Sequence, residues 1–594
     1  TRLGGQNTNA ISDTRVFAKL IATPIKDMVL NAEFTYDNLN ETETKYSKRI
    51  RFANADKFSE EYTSDYSTYS RQRAVTNYTA LNIYGSYAKS FADNNFSLLL
   101  GYNQESNHYD YLKAETSNMI NDDMPSISQS VGVQKAYDKF TEYTVMGFFG
   151  RLNYDYANRY LLELNGRYDA SSKFPSGSRW GFFPSLSVGW RVMEESFMEP
   201  LRDYIPEFKI RGSIGTVGNQ NIDPYQFVPS MESEKSKWLD NNTQPITLKQ
   251  PGLVSGNFTW ETVRTLNLGF DISALKNRLS ANFDLFRRDT KDMLTSGSQL
   301  PATLGATAPL QNVADLKSTG FELELAWRDQ IGKVHYNIGF NLYDYKAYIT
   351  KFKNNVAGVI RTSDNKTYVE GQQLGEIWGY VTDRLYTVDD FVEGTLDANL
   401  KNGTLKDGIP HVEGVKPNPG DMMFKDLDGN GIINSGNETI YDPGDRKIIG
   451  NNSLRFQYGI NGGLSWNNFS FSFLLQGVGK CDKWLTNDLI FPYYYEFGTI
   501  YEHQLDYWTP ENTGAFFPRL YETGMRNTNY AANVRAQTKY LTNGAYLRVK
   551  NLTLGYTIPQ SVISKIGISN LRVYVSAENP FTFDHMPKGL DPAV

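Results

Sequence analysis

Cysteine is almost absent, for among 594 residues only Cys481 carries a thiol. One thiol cannot close an internal disulfide, so neither a disulfide framework nor a redox compartment is legible, and Cys481 reads as a small apolar residue. Histidine is scarce too. His108, His335, His411, His503 and His585 are the five, none lies in an HExxH pattern or beside a nucleophile elbow, and no GxSxG, cysteine-histidine metal spacing, P-loop or dinucleotide fingerprint occurs. The chain therefore reads as a protein that is not an enzyme. Long hydrophobic runs are missing: no stretch approaches the roughly 18 apolar residues of a spanning helix, and the start TRLGGQNTNA lacks the charged-then-apolar pattern of a signal peptide and reads as mid-protein. A basic excess is missing as well, since the net charge is -6, which speaks against a nucleic-acid footprint.

Aromatics are abundant. They make up 14% of the chain, with 39 Tyr and 34 Phe, while mean hydropathy is only -0.49, a pairing that suits alternating strands with polar loops. The stretch Tyr143 to Asp169 shows the repeating unit most clearly. Phe148, Gly150, Leu152, Tyr154 and Tyr156 fall on one face and Phe149, Arg151, Asn153 and Asp155 on the other, because strand side chains alternate. After a turn at Ala157-Asn158-Arg159, Tyr160, Leu162, Leu164, Gly166 and Tyr168 continue the apolar face, opposite Glu163, Asn165, Arg167 and Asp169. Strands of soluble sandwiches run to about five or six residues, whereas roughly ten alternating residues are what a tilted strand needs to cross a bilayer. Charges of both signs on the polar face suit a water-filled lumen, and tyrosines at the ends of the apolar face suit the two membrane interfaces. A large soluble sheet with one wet face is the alternative.

About eight such pairs follow one another. They are Val16–Ile21 with Met28–Tyr36, Leu81–Tyr87 with Phe96–Tyr102, the hairpin above, Pro184–Val192 with Lys209–Thr216, and four more centred on Leu275-Lys276-Asn277, on Phe321 to Leu342, on Asn467-Asn468 and on Leu552 to Ala577. The expected fold is an all-β transmembrane antiparallel barrel, residues 1–594 forming one barrel domain of about sixteen strands. Its long loops, Leu39–Thr76, Glu105–Thr141, Val217–Thr259, Tyr345–Leu454 and Gly477–Tyr546, are expected on the extracellular side and the short turns on the periplasmic side. Both ends then fall outside, and with GLDPAV stopping one strand early the expectation is that both ends are truncated.

Two loop motifs point to ligands. Asp426, Asp428, Asn430, the Ile432 carbonyl and Asn434 stand at the alternating oxygen positions of a calcium loop, with Gly431 at the bend; the twelfth position holds Asn437 instead of a bidentate glutamate, which leaves Ca2+ and an Asx-rich turn both open. In the second, Trp484, Tyr493, Tyr494, Tyr495, Tyr501 and Trp508 cluster in an otherwise polar loop, where flat rings could stack on sugar or pack a core of the loop's own or a partner surface.

Several separated stretches resemble one family: NVADLKSTGFELELAWR (Asn312–Arg328), PGDMMFKDLDGNGIIN (Pro419–Asn434), DPGDRKIIGNNSLRFQYGINGGLSW (Asp442–Trp466), YLRVKNLTLGYTIP (Tyr546–Pro559) and LRVYVSAENPFTFDHMPKGLDP. By these the chain resembles the SusC/RagA-like TonB-dependent transporters of the Bacteroidota outer membrane. The resemblance implies a 22-stranded barrel in the full protein, of which this chain would hold strands six to twenty-one, without the plug, the early strands or the last strand. It implies a SusD-like lipoprotein as an extracellular lid, coupling to TonB-ExbB-ExbD through the plug region outside this chain and no required cofactor, in outer-membrane lipid, with a single such pair and a dimer of pairs both open. The implied function is import of an oligomeric nutrient, most often a glycan, with oligopeptide import or a passive porin-like barrel as the alternatives.

Overall fold

Alternation sustained over ten or more residues dictates strands, and short polar turns dictate hairpins. In the computed structural model, which describes residues 5–49, 51–54, 57–63, 66–121, 123–240, 243–296, 300–306, 308–360, 368–496 and 498–593, the eight expected pairs are eight hairpins. The sixteen strands are β1 (Gly5–Ala22), β2 (Met28–Ser47), β3 (Thr68–Phe91), β4 (Asn94–Ser117), β5 (Lys135–Tyr156), β6 (Tyr160–Ser171), β7 (Trp180–Arg191) and β8 (Glu207–Asn219), followed by β9 (Glu261–Ala274), β10 (Leu279–Ser296), β11 (Leu310–Ile331), β12 (Val334–Phe352), β13 (Arg455–Trp466), β14 (Phe469–Lys480), β15 (Tyr546–Thr557) and β16 (Arg572–Asp584). They join in one sheet in chain order, each strand beside its neighbours in sequence. Among the described residues no helix is long and apolar enough to cross a membrane.

The chain divides into two compact units, Thr1–Gly189 with Ser213–Val263 and Leu300–Asn312, and Trp190–Gly212 with Arg264–Gln299 and Val313–Val594. In the first, register places the apolar residues in rows that cross the strands. Leu20, Ala32, Ile83, Tyr102, Phe148 and Tyr168 are successive partners from β1 to β6. On the opposite face the same strands carry Lys19 paired with Glu33 at 2.8 Å, Tyr84 donating to Glu33 at 2.9 Å and Asn103 donating to Asn82 at 2.7 Å. The second unit repeats the scheme with the row Trp327, Ile338, Gly462, Phe473, Leu552 and Ala577.

Burial decides between the two sheet readings. A soluble sheet with one wet face would cover its apolar side, but here that side is open: Leu20 is 69% exposed, Phe148 55% and Ile83 50%. Such rows far exceed the apolar patches that soluble proteins leave uncovered, and they fit a face solvated by lipid.

The strands run further than alternation predicts. β2 continues eleven residues past Tyr36, to Ser47, and β3 begins at Thr68, so the expected loop Leu39–Thr76 is largely hairpin; β4 and β5 likewise take up both flanks of Glu105–Thr141. The reason is chemical. Beyond Tyr36 the apolar face of β2 becomes Asn38, Asn40, Thr42 and Thr44, so its hydrophobic signal ends while the ladder goes on, Asn38 opposite Asn77 and Thr44 opposite Arg71. The remaining loop expectations include residues 50, 55–56, 64–65, 122, 241–242, 361–367 and 497, which lie outside the described residues.

Candidate functional site

The connections β12–β13 and β14–β15 build a packed body in the second unit. Its core holds Tyr380, Phe424, Ile433, Phe491, Trp508 and Tyr530 among its buried members. Tyr380 packs on Phe424 with ring centroids 5.2 Å apart, and Phe491 meets Tyr540 edge-on at 5.1 Å. Polar bonds fix its frame. Asn527 caps the short helix α1 (Thr528–Asn533), accepting from the Asn529 and Tyr530 amides, and that helix presents Asn529 and Asn533, which both donate to Asp421 at 2.8 Å. The Asn418 amide and the Tyr521 hydroxyl donate to the same carboxylate at 2.8 and 2.9 Å. Among the described residues Asp421 is buried without an ion-pair partner, and burial raises its pKa above the ordinary carboxylate range although these four donors oppose the shift. Asp390 shows the opposite balance. Burial alone would raise it, but the Arg384 guanidinium, donating to both oxygens at 2.6 Å, and the Thr387 amide at 2.7 Å hold it below that range.

The expected aromatic cluster does not form one ligand-facing surface. Trp508 is a core residue, 4% exposed, with the Arg519 guanidinium 5.2 Å from its ring and Gly420, at φ +90°, set where a Cβ would strike the indole. The expectation of a ligand-stacking Trp508 is therefore corrected: its ring is packed in the core of the loop body, out of reach of a ligand. Tyr494 packs half-buried against the same core. Tyr493 is half-buried at φ +58°, whereas Tyr495 and Tyr501 stay exposed.

Trp484 does reach an opening. It lines a cleft of about 840 Å³ together with Trp378, Glu376, Gln372, Asn452 and Ser453, a volume within the range of small-molecule sites. Sequence reasoning missed Trp378. It stands alone between Ile377 and Gly379 with no periodic pattern to mark it, and it enters the cleft because Glu376–Tyr380 pairs with Arg446–Asn451 across the loop.

In the Asp-rich loop, Asp426 accepts from the Gly429 and Gly431 amides, both at 2.7 Å, and the Gly431 bond leads the causes that hold its pKa below the usual range. Asp428 accepts from the Asn430 amide at 3.0 Å, and Asn430 accepts from the Ile432 amide at 2.7 Å. Asn434 turns its side-chain amide toward the Ile432 carbonyl at 3.5 Å, while its Oδ1 accepts from the Gly436 amide at 2.7 Å, and Asn437 donates to Asp442. The carboxylate that sequence spacing could not supply comes from Asp445, whose oxygen atoms take the Leu427 and Asn434 amides at 2.7 and 2.9 Å. Carboxylate oxygen atoms of Asp426, Asp428 and Asp445 lie within 4.8 Å of one another. Oxygens bound to one Ca2+ at about 2.3–2.6 Å cannot be more than about 5 Å apart, so this all-oxygen donor set fits a hard cation.

A model of the family described as TonB dependent receptor-like, beta-barrel matches residues 3–403. TonB-dependent receptor P3 of Formosa agariphila is 29% identical over 535 residues, covering 88% of this chain and 49% of the relative. TonB-dependent receptor SusC of Bacteroides thetaiotaomicron is 28% identical over 536 residues, covering 86% and 47%. The chain thus spans about half the length of these curated relatives. Among solved structures, the RagAB peptide transporter aligns with a TM-score of 0.78 at 19% identity, over 100% of this chain and 60% of that one; at that identity the likeness speaks for the fold.

Proposed function

Given that the chain belongs to the TonB-dependent receptor-like β-barrel family and is an outer-membrane barrel, we propose that it is the wall and extracellular portion of a TonB-dependent importer. The cargo in this reading is an oligomeric nutrient, an oligosaccharide in the first place, handed over by a SusD-like surface lipoprotein that closes on the packed loop body. Energy would enter through parts of the whole protein beyond these residues, in contact with TonB-ExbB-ExbD. Family membership over residues 3–403 carries the reading. The loop body supports it with an amphipathic cleft in which Trp484 and Trp378 offer apolar ring faces beside Glu376 and Asn452, the mixture that sugar rings need: aromatic surface for their C–H faces and fixed polar groups for their hydroxyls. Tyr493, Tyr495 and Tyr501 are proposed as outlying contacts.

Affinity purification of the tagged full-length protein from outer membranes, followed by binding to glycan and peptide arrays, tests this. A co-purifying surface lipoprotein and glycan binding reduced at least tenfold by Trp484→Ala are expected. Binding of peptides alone would replace the cargo with oligopeptides, and an open pore conducting without any ligand would replace the importer with a passive barrel. We propose further that Asp426, Asp428 and Asp445 hold Ca2+ as a structural ion, with no part in energy coupling. Calcium is expected to raise the unfolding midpoint of the full-length protein and Asp445→Asn to abolish the increment, by about 3 kcal/mol at a hundredfold excess over the dissociation constant; an equal midpoint with calcium and with chelator would refute it.

A further inference from the structure

In the first unit the lipid-facing side of β3, which carries Ile83, continues past the apolar band through Thr79, Asn77 and Val75 to Arg73 and Arg71, because alternate residues share a face. A line of side-chain hydrogen bonds runs up it. The Tyr36 hydroxyl and the Asn38 amide both donate to Asn77 Oδ1, at 3.2 and 2.6 Å, Asn40 donates to Asn38, and the Arg73 guanidinium donates to Asn40 at 3.2 Å. Arg73 is thereby tied to a tyrosine at the edge of the apolar band, while most of its five donors stay free.

Arg71 and Arg73 are both exposed, stand about 7 Å apart along the strand, and form no ion pair among the described residues. Toward β1 their rungs hold small uncharged residues, Thr44 with Thr8 and Thr42 with Ala10. The carboxylates of this face stand on the other side: Asp110 on β4 opposite Val75, one rung below Arg73, and Asp138 and Glu142 on β5. An anion that reaches the two guanidiniums over β1 and β2 passes no carboxylate on that face.

Lower on the same strands lies an apolar groove of about 450 Å³, lined by Leu20, Leu30, Ile83, Gly85, Leu100 and Tyr102 among others. Gly85 deepens it, for the Leu30 side chain leans into the space a Cβ would take. From Ile83 to Arg73 is ten positions, about 33 Å of strand and about 25 Å of height at a tilt of about 40°. One leaflet with its head groups is about 20–22 Å deep. The groove and the arginine pair are therefore placed as the chain region and the head region of one outer-leaflet lipid.

We infer that this outward face is a binding site for a phosphorylated glycolipid of the outer leaflet, with its phosphate held by Arg71 and Arg73 and an acyl chain in the groove below. Guanidinium groups take phosphate oxygens in paired, charge-assisted hydrogen bonds. The amides and hydroxyls between the two ends, Asn38, Asn40, Thr42 and Thr44, donate and accept as sugar hydroxyls do, which favours a sugar head over a glycerol one. Such a site depends on the barrel's place in the outer membrane and on no cargo.

The test uses the full-length protein, purified in detergent and stripped of lipid, and native mass spectrometry to follow its titration with phosphorylated lipid A, the same lipid A after phosphatase treatment, phosphatidylglycerol and inorganic phosphate. Expected is binding of phosphorylated lipid A that weakens at least tenfold on dephosphorylation and at least tenfold in the Arg71→Gln, Arg73→Gln double variant. Both arginines are exposed, so the double variant should fold, and its heat-modifiability on gels should match the parent. Ala32→Trp, which fills the groove and leaves the arginines in place, should also weaken binding. Equal binding of phosphorylated and dephosphorylated lipid A, of phosphatidylglycerol or of inorganic phosphate would overturn the inference, as would unchanged binding by the double variant or no binding of lipid A at all.

Discussion

The side chains that decide the loop body are those whose surroundings the sequence does not disclose. Trp508 and Trp484 both lie in an aromatic, polar stretch, yet one is core and the other lines a cleft. What separates them is long-range: Gly420, 88 positions before Trp508, leaves the space its indole fills. Trp508→Ala is therefore expected to cost about 3–5 kcal/mol of stability, the range for deleting a buried aromatic ring, whereas Trp484→Ala should lower glycan binding with a much smaller loss; urea unfolding of the purified protein in lipid compares them. Asp390 and Asp421 make opposite pH predictions. With its folded pKa depressed, Asp390 adds stability that is present above the unfolded value of about 3.9 and is lost as pH falls through the folded value. Asp421, with its folded pKa raised, adds stability that is full below about 3.9 and is lost as pH rises through the folded value. Unfolding midpoints across pH 3 to 8 should thus lose their acid-side decline in part with Asp390→Asn and their rise toward low pH with Asp421→Asn, and identical pH profiles for both variants and the parent would contradict the assignment.

Strands were legible wherever one face meets lipid, because only there does alternation pair apolar with polar residues. Tyr160 to Tyr168 shows it, with Leu162 and Leu164 partnered by Tyr154 and Leu152 across the hairpin. The outer reaches of β2 to β5 were not legible, since with Asn38, Asn40 and Thr42 on one side and Asp37, Leu39 and Glu41 on the other both faces are largely wet and no period of two survives. Hydrogen-bond pairing, which sequence patterns do not report, holds them instead. The two faces of β6 should respond differently to the same charge. Leu164→Arg, at the middle of the exposed apolar row, is expected to destabilise by about 2–4 kcal/mol in lipid, and Asn165→Arg on the polar face by less than about 1 kcal/mol. Heat-modifiability on gels and urea titration in vesicles measure both, and equal costs would mean that the apolar face does not meet the bilayer.

For the molecule as a whole, the sixteen-strand count and the asymmetry between short turns and long connections were readable from spacing, and both recur in the sheet order. That the two longest connections fold together was not. Their core joins Tyr380, Phe424 and Ile433 of one to Phe491, Trp508 and Tyr530 of the other, contacts separated by up to about 150 positions that no local pattern encodes. Asp445 was missed for the same reason, since the loop brings it back to Asp426 and Asp428 from outside the motif. Such a body suits an importer that captures cargo outside the membrane and draws energy from elsewhere, so the decisive measurement is energetic. Oligosaccharide uptake by cells carrying the full-length protein should be compared with and without a functional TonB system. Loss of uptake without TonB, at an unchanged level of barrel in the outer membrane, is the expected result; uptake that continues at the same rate would contradict it and leave a passive pore.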